Sequence, residues 1–317
     1  MSQLKTNSIT NISNTGDANI VLSDSGDTQV QSLNSSQLAG FRNQLINGQF
    51  QIDQRDLSGV TLAGSKYCLD RWFASSTAVV TILNKTPGGL PNAISYTGGN
   101  DAGYLRQAIE LPFVGTTGQF GTPGLSWTFS VYSNTAPQFE AFYADGNTTT
   151  NRTNWKTLTT MTATGRTATS STTGTLNQYS ITISGSPAAA STNTALCIAF
   201  RGGGFYAAAQ FEPGPVATPF ENRPIGTELA LCQRYFRSVP TLYFNTVGFS
   251  TPSNTVQALW YMDIPMRTTP TLSYSLEENI SNVNTDQTNS NCIRVTGQAT
   301  NNTVSSRLAG FTADAEL

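Results

Sequence analysis

Short segments in which apolar and polar residues alternate run through most of the chain, separated by clusters of Gly, Pro, Asn and Thr. In SWTFSVYS (126–133), Trp127, Phe129 and Val131 alternate with hydroxyl-bearing residues, which predicts a half-buried strand with these three side chains inside. Similar segments are KYCLDRWFAS, AVVTILN, GYLRQAIEL, QFEAFYA, QYSITIS, TALCIAF and FYAAAQFE. Strands at this frequency, with turn residues between them and no long helical period, predict a jelly-roll β-sandwich over 43–221.

A proline-rich stretch closes this region in FEPGPVATPFENRPIGTELALCQRYF (211–236). Its four prolines lack an amide donor, so the stretch cannot pair inside a sheet. A short helical pattern follows, with Thr227 as the predicted N-cap and Glu228 in the first turn, where a negative charge is favourable. We predict a joint and helix at 222–240, with four residues packed at the joint and between copies of the chain: Leu229, Cys232, Tyr235 and Phe236.

The two ends of the chain differ from the central region. Residues 1–42 hold apolar alternations that NTGD and DSGD turns interrupt, and each run is too short to bury a core alone. We predict an extended arm that is ordered by a partner or by trimerisation, and a disordered arm is the alternative. Its anchoring residues would be Ile9, Ile12, Ile20 and Leu22. After the joint, segments such as TLYFNTV and NCIRVTG predict a small β-rich domain over 241–317, which gives an all-β chain.

Composition excludes several classes of partner. Charged residues make up 11% of the 317 residues and the net charge is −2, so no basic surface favours nucleic acid. We expect no signal peptide and no membrane insertion, because no apolar run approaches the ~20 residues of a membrane helix. The four cysteines are widely spaced and predict buried free thiols, with disulfides as the alternative.

Catalysis is not predicted. The chain contains no histidine, which removes Ser-His-Asp and Cys-His nucleophiles and His-ligated zinc. A glycosidase-type carboxylate pair remains conceivable, and the candidates are Asp53 with Asp56, Glu140 with Asp145, and Glu277 with Glu278. The Gly-rich RGGGFY (201–206) lacks the Lys and the following helix of a phosphate-binding loop, so we predict a tight hairpin turn there.

Aromatic rings beside polar groups are the expected chemistry of sugar binding. Within NRTNWK, Trp155 would stack on a sugar ring while neighbouring polar side chains bond its hydroxyls, and these predicted neighbours are Asn151, Arg152 and Asn154. The alternative is a loop Trp packed onto the sandwich. Trp260 and Tyr261 in ALWYMDIP are interpreted as core or subunit interface.

Three stretches together resemble bacteriophage tail-fibre and minor virion proteins, many from marine or cyanobacterial phages. They are RNQLINGQFQIDQRD, KYCLDRW and QFEPGPVATPFENRPIGTELALCQRYF. In that pattern an LINGxF opening strand leads to an aromatic DRW strand, and an ATPFE.RP joint precedes an ELALCQRYY-like helix. LINGQF also resembles the first strand of jelly-roll carbohydrate-binding modules, where a Glu after the Phe helps to bind structural calcium. Gln51 is a poorer ligand in that place, so no cofactor is predicted.

The resemblance implies a non-enzymatic homotrimeric tail fibre of the virion, assembled in the host cytoplasm. Its N-terminal arm would attach to a tail, baseplate or adaptor protein. Its outer domains would bind a host surface glycan or lipopolysaccharide, and several weak sites on one trimer would add avidity. The alternative is a purely structural capsid-decoration or baseplate component, which would bind another virion protein and no host cell.

Overall fold

A computed structural model of the chain describes most of its residues beyond position 41. The described residues are 8–9, 20–22, 28–30, 42–75, 77–84, 92–98, 103–110, 126–146, 148, 151–170, 174–184, 193–244, 255–300 and 306–317.

The elements of the described residues are almost all strands. In chain order they are β1 (Ser8–Ile9), β2 (Ile20–Leu22), β3 (Thr28–Val30), β4 (Lys66–Leu69), β5 (Trp72–Ala74), β6 (Ala78–Asn84), β7 (Asn92–Gly98), β8 (Tyr104–Glu110), β9 (Ser126–Ser133), β10 (Gln138–Ala144), β11 (Thr153–Thr160), β12 (Thr162–Ser170), β13 (Gly174–Ser184), β14 (Ala195–Arg201), β15 (Gly204–Pro213), the helix α1 (Ile225–Gln233), β16 (Phe236–Phe244), β17 (Thr255–Tyr261), β18 (Thr271–Ser273), β19 (Leu276–Glu278), β20 (Ile280–Thr288), β21 (Cys292–Ala299) and β22 (Ser306–Asp314).

Two antiparallel six-stranded sheets form the central sandwich. The front sheet has the order β11-β10-β14-β8-β5-β4, and the back sheet has the order β12-β13-β9-β15-β7-β6. Strands that are distant in sequence lie side by side, as in a jelly roll. The predicted all-β, jelly-roll-like fold class is therefore confirmed.

The core lies between the two sheets and is rich in aromatic rings. Trp127, Phe129 and Val131 are buried in it, which confirms the pattern prediction for that strand. Phe129 stacks across the core on Phe139 of the front sheet, with ring centroids 4.9 Å apart. Such stacked pairs stabilise a core by about 1 kcal/mol beyond the burial of their area.

The segment RGGGFY links the two sheets, and the predicted hairpin is wrong. Strand β14 ends at Arg201 in the front sheet, whereas β15 begins at Gly204 in the back sheet. Gly202 has a φ of 117° and Gly204 a φ of 154°, conformations that glycine adopts at little cost. These glycines let the chain cross from one sheet to the other.

LINGQF forms a turn, so the opening strand that the resemblance implied is absent from this segment. Asn47 and Phe50 both have a φ of 56°, in the left-handed region that breaks a strand. A Cβ on Gly48 would lie 2.3 Å from the carbonyl oxygen of Ala209, so the back sheet leaves no room for a side chain. The motif packs one turn tightly against the sandwich.

The proline-rich stretch lies along the outer face of the back sheet. The hydroxyl of Thr128 donates to the carbonyl of Gly214 at 2.7 Å, and that of Thr182 donates to Pro215 at 2.8 Å. Thr128 is consequently buried although it points away from the core. The stretch therefore covers this face, and the two hydrogen bonds fix its course towards the helix.

The helix α1 begins at Ile225 with Pro224 as the N-cap, so the predicted N-cap at Thr227 is wrong. Proline favours a helix start because its φ is fixed and its missing amide is not needed there. Glu228 is buried and accepts hydrogen bonds from the backbone amide of Asn47 and from Arg223. No helix in the described part of the chain is long and apolar enough to cross a membrane.

The C-terminal region forms a second, smaller pair of antiparallel sheets. One has the order β16-β22-β18, with β19 also paired to β22, and the other has the order β17-β21-β20. Trp260 is half-buried and packs edge-on against Phe311 with ring centroids 5.6 Å apart, whereas Tyr261 is exposed. The core interpretation therefore fits Trp260 and not Tyr261.

The last residues of the chain connect this region to the sandwich. Glu316 forms an ion pair with Arg71, both almost fully buried, and also lies 3.2 Å from Arg55. Arg55 in addition contacts Asp314 at 3.1 Å, and Leu317 packs on the outer face of the front sheet. Removing one partner of a buried ion pair leaves the other charge buried and unpaired, which is strongly destabilising. The ion pair between Arg71 and Glu316 therefore fixes the C-terminal region relative to the sandwich.

Native thiol labelling should detect one cysteine per chain, Cys292. The other three, Cys68, Cys197 and Cys232, are free and buried, whereas Cys292 is half-buried. Burial raises the pKa of Cys68 to about 12 and that of Cys197 to about 11, which suppresses the reactive thiolate. Ellman's reagent should therefore report one fast thiol in buffer and four in denaturant. A Cys292→Ser protein should show no fast thiol, and any fast thiol in it would contradict the burial of the other three.

Candidate functional site

The outer face of the front sheet carries a row of charged and aromatic side chains. The registers of β10, β14, β8 and β5 align Glu140, Ala199, Arg106 and Phe73 across the sheet. Most residues that flank this row along each strand belong to the core between the sheets. Because successive side chains on a strand point to opposite faces, the row points outwards.

Three arginines gather at this row, and each lies over an aromatic ring. The members of this arginine cluster are Arg106, Arg152 and Arg201. The guanidinium carbon of the first lies 4.6 Å from the ring centroid of Phe73, that of the second 4.0 Å from Phe142, and that of the third 5.2 Å from Tyr104. The rings fix the guanidinium planes, since such contacts are favourable by about 0.5–2 kcal/mol each.

Glu140 is the carboxylate that contacts the cluster. It accepts a hydrogen bond from Arg152 and lies 3.7 Å from the nearest nitrogen of Arg201. Arg152 also donates from Nε to Asn154 Oδ1 at 2.6 Å, which fixes its second edge. Arg152 and Arg201 therefore share one carboxylate, and Arg106 does not contact it.

Two guanidinium Nε–H groups of the cluster lie buried without a hydrogen-bond partner among the described residues. They belong to Arg106 and Arg201. Arg106 is only 4% exposed, and its Nη1 donates to the hydroxyl of Tyr104 at 3.2 Å. A buried donor without a partner costs about 1–3 kcal/mol, so an acceptor that reached these N–H groups would stabilise the cluster.

The electrostatics of the cluster are positive. Burial lowers the pKa of the Arg152 guanidinium, the charges of Arg201 and Arg106 lower it further, and Tyr104 opposes them. Beneath the cluster the sheet carries the small side chain of Ala199. The arrangement therefore combines a small residue, several aromatic rings and an excess of fixed donors.

The structure divides the predicted glycan-binding residues between two faces of the sheet. Trp155 lies on β11, not in a loop, and its ring points inwards, stacked on Tyr143 at 6.2 Å with an interplanar angle of 8°. Arg152 and Asn154 lie on the outer side, where they join the arginine cluster. Asn151 is exposed in the preceding turn.

The period of two in a strand explains this division. Residues 154 and 155 are neighbours in β11, so their side chains must point to opposite faces. The stacking role predicted for Trp155 is wrong in this structure, because its ring packs against the sandwich core. Glycan contact through Arg152, Asn154 and Asn151 stays a prediction.

The predicted joint residues are largely enclosed within one chain. Cys232, Tyr235 and Phe236 are buried, and Tyr235 lies 3.5 Å from the guanidinium carbon of Arg71. Packing between copies stays a prediction for Leu229, which is half-buried in the helix. Sequence reasoning had assigned both roles to all four residues.

The predicted anchoring residues lie in the N-terminal arm. Ile9 belongs to β1, and Ile20 and Leu22 belong to β2, in a small antiparallel sheet with the order β1-β2-β3. Ile12 lies outside the described residues. Their role in attachment stays a prediction.

The acidic pairs considered for hydrolysis contain residues with structural partners. Asp53 accepts hydrogen bonds from the backbone amides of Leu57 and Ser58 at 2.9 and 2.8 Å. Glu278 pairs with Arg307 at 2.6 Å. In the part of the chain that the structure describes, no group of three or more His, Cys, Asp or Glu could hold a metal. The side-chain amide of Gln51 donates to Gln49.

Sequence reasoning missed Arg106 and Arg201 as site residues, and it considered Glu140 only as a candidate hydrolytic carboxylate paired with Asp145. The available signal was a charged residue within or at the end of a largely apolar strand segment, as in QFEAFYA and ALCIAFR. A charge at such a position must lie on an outer face or have a partner. Which charges meet depends on the strand order, which a single sequence does not show.

Comparisons with known proteins give only distant structural similarity. No protein-family model and no curated protein matches the sequence. A domain of tailspike protein 4 from bacteriophage CBA120 is 15% identical, with a TM-score of 0.34 over 56% of this chain and 22% of that chain. The family 11 carbohydrate-binding module of Lic26A-Cel5E from Clostridium thermocellum is 15% identical, with a TM-score of 0.25 over 52% of this chain and 100% of that chain. Discoidin II of Dictyostelium discoideum is 10% identical, with a TM-score of 0.21 over 71% of this chain and 81% of that chain.

The chain thus spans about one fifth of the length of the tailspike chain that it matches. At these scores no activity, substrate or partner is transferred from any of the three proteins to this chain.

Proposed function

We propose that this chain is a phage tail-fibre subunit that binds a glycan on the host cell surface through the outer face of its front sheet. The observation that carries the proposal is the arginine cluster, in which fixed donors converge over a small residue on an otherwise well-packed sandwich. The resemblance of the LINGQF, DRW and ATPFE segments to tail-fibre proteins supports the biological setting. The neutral, hydroxyl-rich composition agrees with a β-structured surface protein.

The site has the groups that sugar recognition requires. A guanidinium offers a rigid fork of N–H donors that can bond two neighbouring hydroxyl oxygens. Asn154 is exposed beside Arg152 and adds an amide at the edge of the site. Tyr104 lies partly open next to Arg201 and supplies an aromatic surface for the apolar face of a sugar ring.

The remainder of the proposal concerns assembly. The N-terminal arm with β1, β2 and β3 docks on a tail, baseplate or adaptor protein, and three copies associate into a homotrimer. The fibre has no enzymatic activity of its own and needs no cofactor. A trimer would present three copies of the arginine cluster, so weak single sites would bind a repetitive polysaccharide with high avidity.

Fluorescently labelled full-length protein should decorate intact cells of a susceptible strain within a panel of marine and cyanobacterial hosts. Surface polysaccharide extracted from that strain should compete, and the mass in solution should be that of a trimer. An Arg201→Gln protein should lose about tenfold or more in cell binding, the effect of one charge-assisted hydrogen bond. The matched control is Arg307→Gln, which removes one arginine in the C-terminal region.

Failure to bind any strain on which the phage grows would overturn receptor binding. It would favour the alternative, a structural capsid-decoration or baseplate component, and affinity for another virion protein would then support that alternative. If the Arg201→Gln and Arg307→Gln proteins lose cell binding to the same extent, the arginine cluster is not the binding site. Binding of the parent protein to cells would still support receptor binding.

A further inference from the structure

The geometry points to an acidic sugar as the ligand of the arginine cluster: a residue with a carboxylate, sulfate or phosphate group that is bound by Arg106 and Arg201. This inference rests on the proposed function and specifies its substrate class. A neutral sugar would need donors and acceptors in similar numbers, whereas the cluster offers mainly donors.

Charge balance is the first argument. The cluster holds three guanidinium groups, and the contacts described above provide one carboxylate, Glu140, between Arg152 and Arg201. Arg106 has no carboxylate within ion-pair distance among the described residues, although it is 96% buried. A nearly buried cation that keeps only a phenol as its hydrogen-bond partner is poorly compensated, and an oxyanion would supply the missing charge.

The position of the unpartnered donors is the second argument. The unpartnered Nε–H groups belong to Arg106 and Arg201. Both arginines lie near Tyr104, with guanidinium carbons 5.3 and 5.2 Å from its ring centroid. Two guanidinium groups near one ring can donate to the two oxygens of one oxyanion.

Glu140 gives the site selectivity. Its carboxylate is held by Arg152, so it occupies one end of the row and repels a second negative group there. A ligand with one anionic group and several hydroxyls can place the anion at Arg106 and a hydroxyl at Glu140, which is acceptor-only when ionised. A free polyanion such as nucleic acid meets this carboxylate and a chain of net charge −2, so it is disfavoured.

The test observes the arginine Nε–H signals by NMR in the full-length 15N-labelled protein. Sodium glucuronate, glucose 6-phosphate, inorganic phosphate and neutral methyl glucoside are titrated separately. The expected result is a saturable shift of the Arg106 and Arg201 signals with glucuronate or with glucose 6-phosphate, and a shift at least tenfold weaker in affinity with methyl glucoside. The two acidic probes distinguish a carboxylate from a phosphate as the preferred group.

Variants make the assignment specific. Arg201→Gln should weaken binding of the acidic probe about tenfold, and Arg307→Gln should leave it unchanged. Arg106 is nearly buried, so an Arg106→Gln protein is used only if its circular dichroism spectrum matches that of the parent. Raising the salt concentration should weaken binding, because an exposed ion pair is screened.

Each other outcome overturns the inference. If the arginine signals respond with equal affinity to methyl glucoside and to the acidic sugars, the site is not selective for an acidic sugar. Sugar binding, and with it the proposed function, would still be supported. If inorganic phosphate binds with the same affinity as both acidic sugars, the cluster is an anion site that does not recognise the sugar. If neither arginine signal responds to any probe, the inference of an acidic ligand is wrong. The cell-binding experiment described above would still test the proposed function independently.

Discussion

An Asn47→Ala protein is expected to have a free energy of unfolding lower than that of the parent by about 4 kcal/mol. Asn47 is fully buried in the LINGQF turn. Its side-chain amide donates to the carbonyls of Ile52 at 2.8 Å and Asp70 at 3.0 Å, and its side-chain oxygen accepts from the backbone amides of Gln51 at 2.9 Å and Ile52 at 3.1 Å. Alanine would leave three of these four backbone groups without a partner, at about 1 kcal/mol each, whereas the carbonyl of Ile52 keeps the amide of Asp70 at 3.4 Å.

The backbone of Asn47 adds a second cost. Its φ of 56° lies in the left-handed region, which alanine adopts at about 1 kcal/mol more than asparagine or glycine. Asn151 provides the matched control, because it has a φ of 55° but is exposed. An Asn151→Ala protein should therefore lose about 1 kcal/mol, the backbone contribution alone. An Asn47→Gly protein relieves the backbone but still loses the hydrogen bonds, so it should lose about 3 kcal/mol.

Urea unfolding followed by tryptophan fluorescence measures all three differences. If Asn47→Ala and Asn151→Ala cost the same, the hydrogen bonds of the buried amide contribute nothing. If Asn47→Gly is as stable as the parent, only the backbone conformation matters. Either result would contradict the role assigned to the turn.

The motifs that resembled tail-fibre proteins meet in space. Glu228 of the helix accepts from the backbone amide of Asn47, and Glu221 accepts from the backbone amide of Asn43. The indole of Trp72 in DRW donates to the carbonyl of Asn47 at 2.9 Å, and Arg71 pairs with Glu316 near the chain end. Segments 43–47, 71–72 and 221–228, far apart in sequence, therefore build one joint. The motifs report how the sandwich is connected to the C-terminal region, and the arginine cluster lies outside them.

The parts of the fold that were predictable from sequence depend on local periodicity. The alternation in SWTFSVYS predicted which residues of β9 enter the core, and all three are buried there. Prolines at 215, 219 and 224 lie outside the sheet ladders, as their missing amide donors predicted, whereas Pro213 still pairs with Trp127 as the last residue of β15.

The wrong predictions concern features that depend on which strands pair across long sequence distances. Arg201 and Gly204 are three positions apart, yet they belong to different sheets, and no local pattern distinguishes such a crossing from a hairpin. Trp155 was assigned to a polar loop because its neighbours are polar, but β11 places its ring on the inner face. The partners of Arg106 come from strands about 30 to 95 residues distant, so the site required the strand order.

The stability of the protein is expected to fall as the pH rises from about 4 to about 7, and an Asp70→Asn substitution should remove that part of the fall. Burial raises the pKa of Asp70 to about 7, and hydrogen bonding from the backbone amide of Gln54 and the charge of Arg55 oppose the rise. The charges of Glu316 and Asp53 raise it further. In the unfolded chain an aspartate has a pKa of about 3.9.

The sign follows from the protons bound in each state. Between these two pKa values the folded protein keeps the proton of Asp70, whereas the unfolded chain has released it. The contribution of this group to stability is therefore fully present below pH ~4 and is lost as the pH rises to ~7. A difference of about three pKa units corresponds to a loss on the order of 4 kcal/mol.

Asparagine resembles the protonated carboxyl and does not titrate, so the Asp70→Asn protein should match the parent at pH 4 and exceed its stability at pH 8 by several kcal/mol. Urea unfolding at pH 4, 6 and 8 measures the difference between the two proteins at each pH, which cancels the other titrating groups. Asp145→Asn is the control, since it removes an exposed carboxylate beside Thr194. Parallel stability curves for the parent and Asp70→Asn proteins would show that Asp70 is ionised in the folded state throughout, held by Gln54 and Arg55. If Asp70 instead ionises near neutral pH in the folded protein, the joint is more stable in mild acid than at neutral pH. The C-terminal region, which the neighbouring Arg71–Glu316 pair connects to the sandwich, is then held more firmly in mild acid.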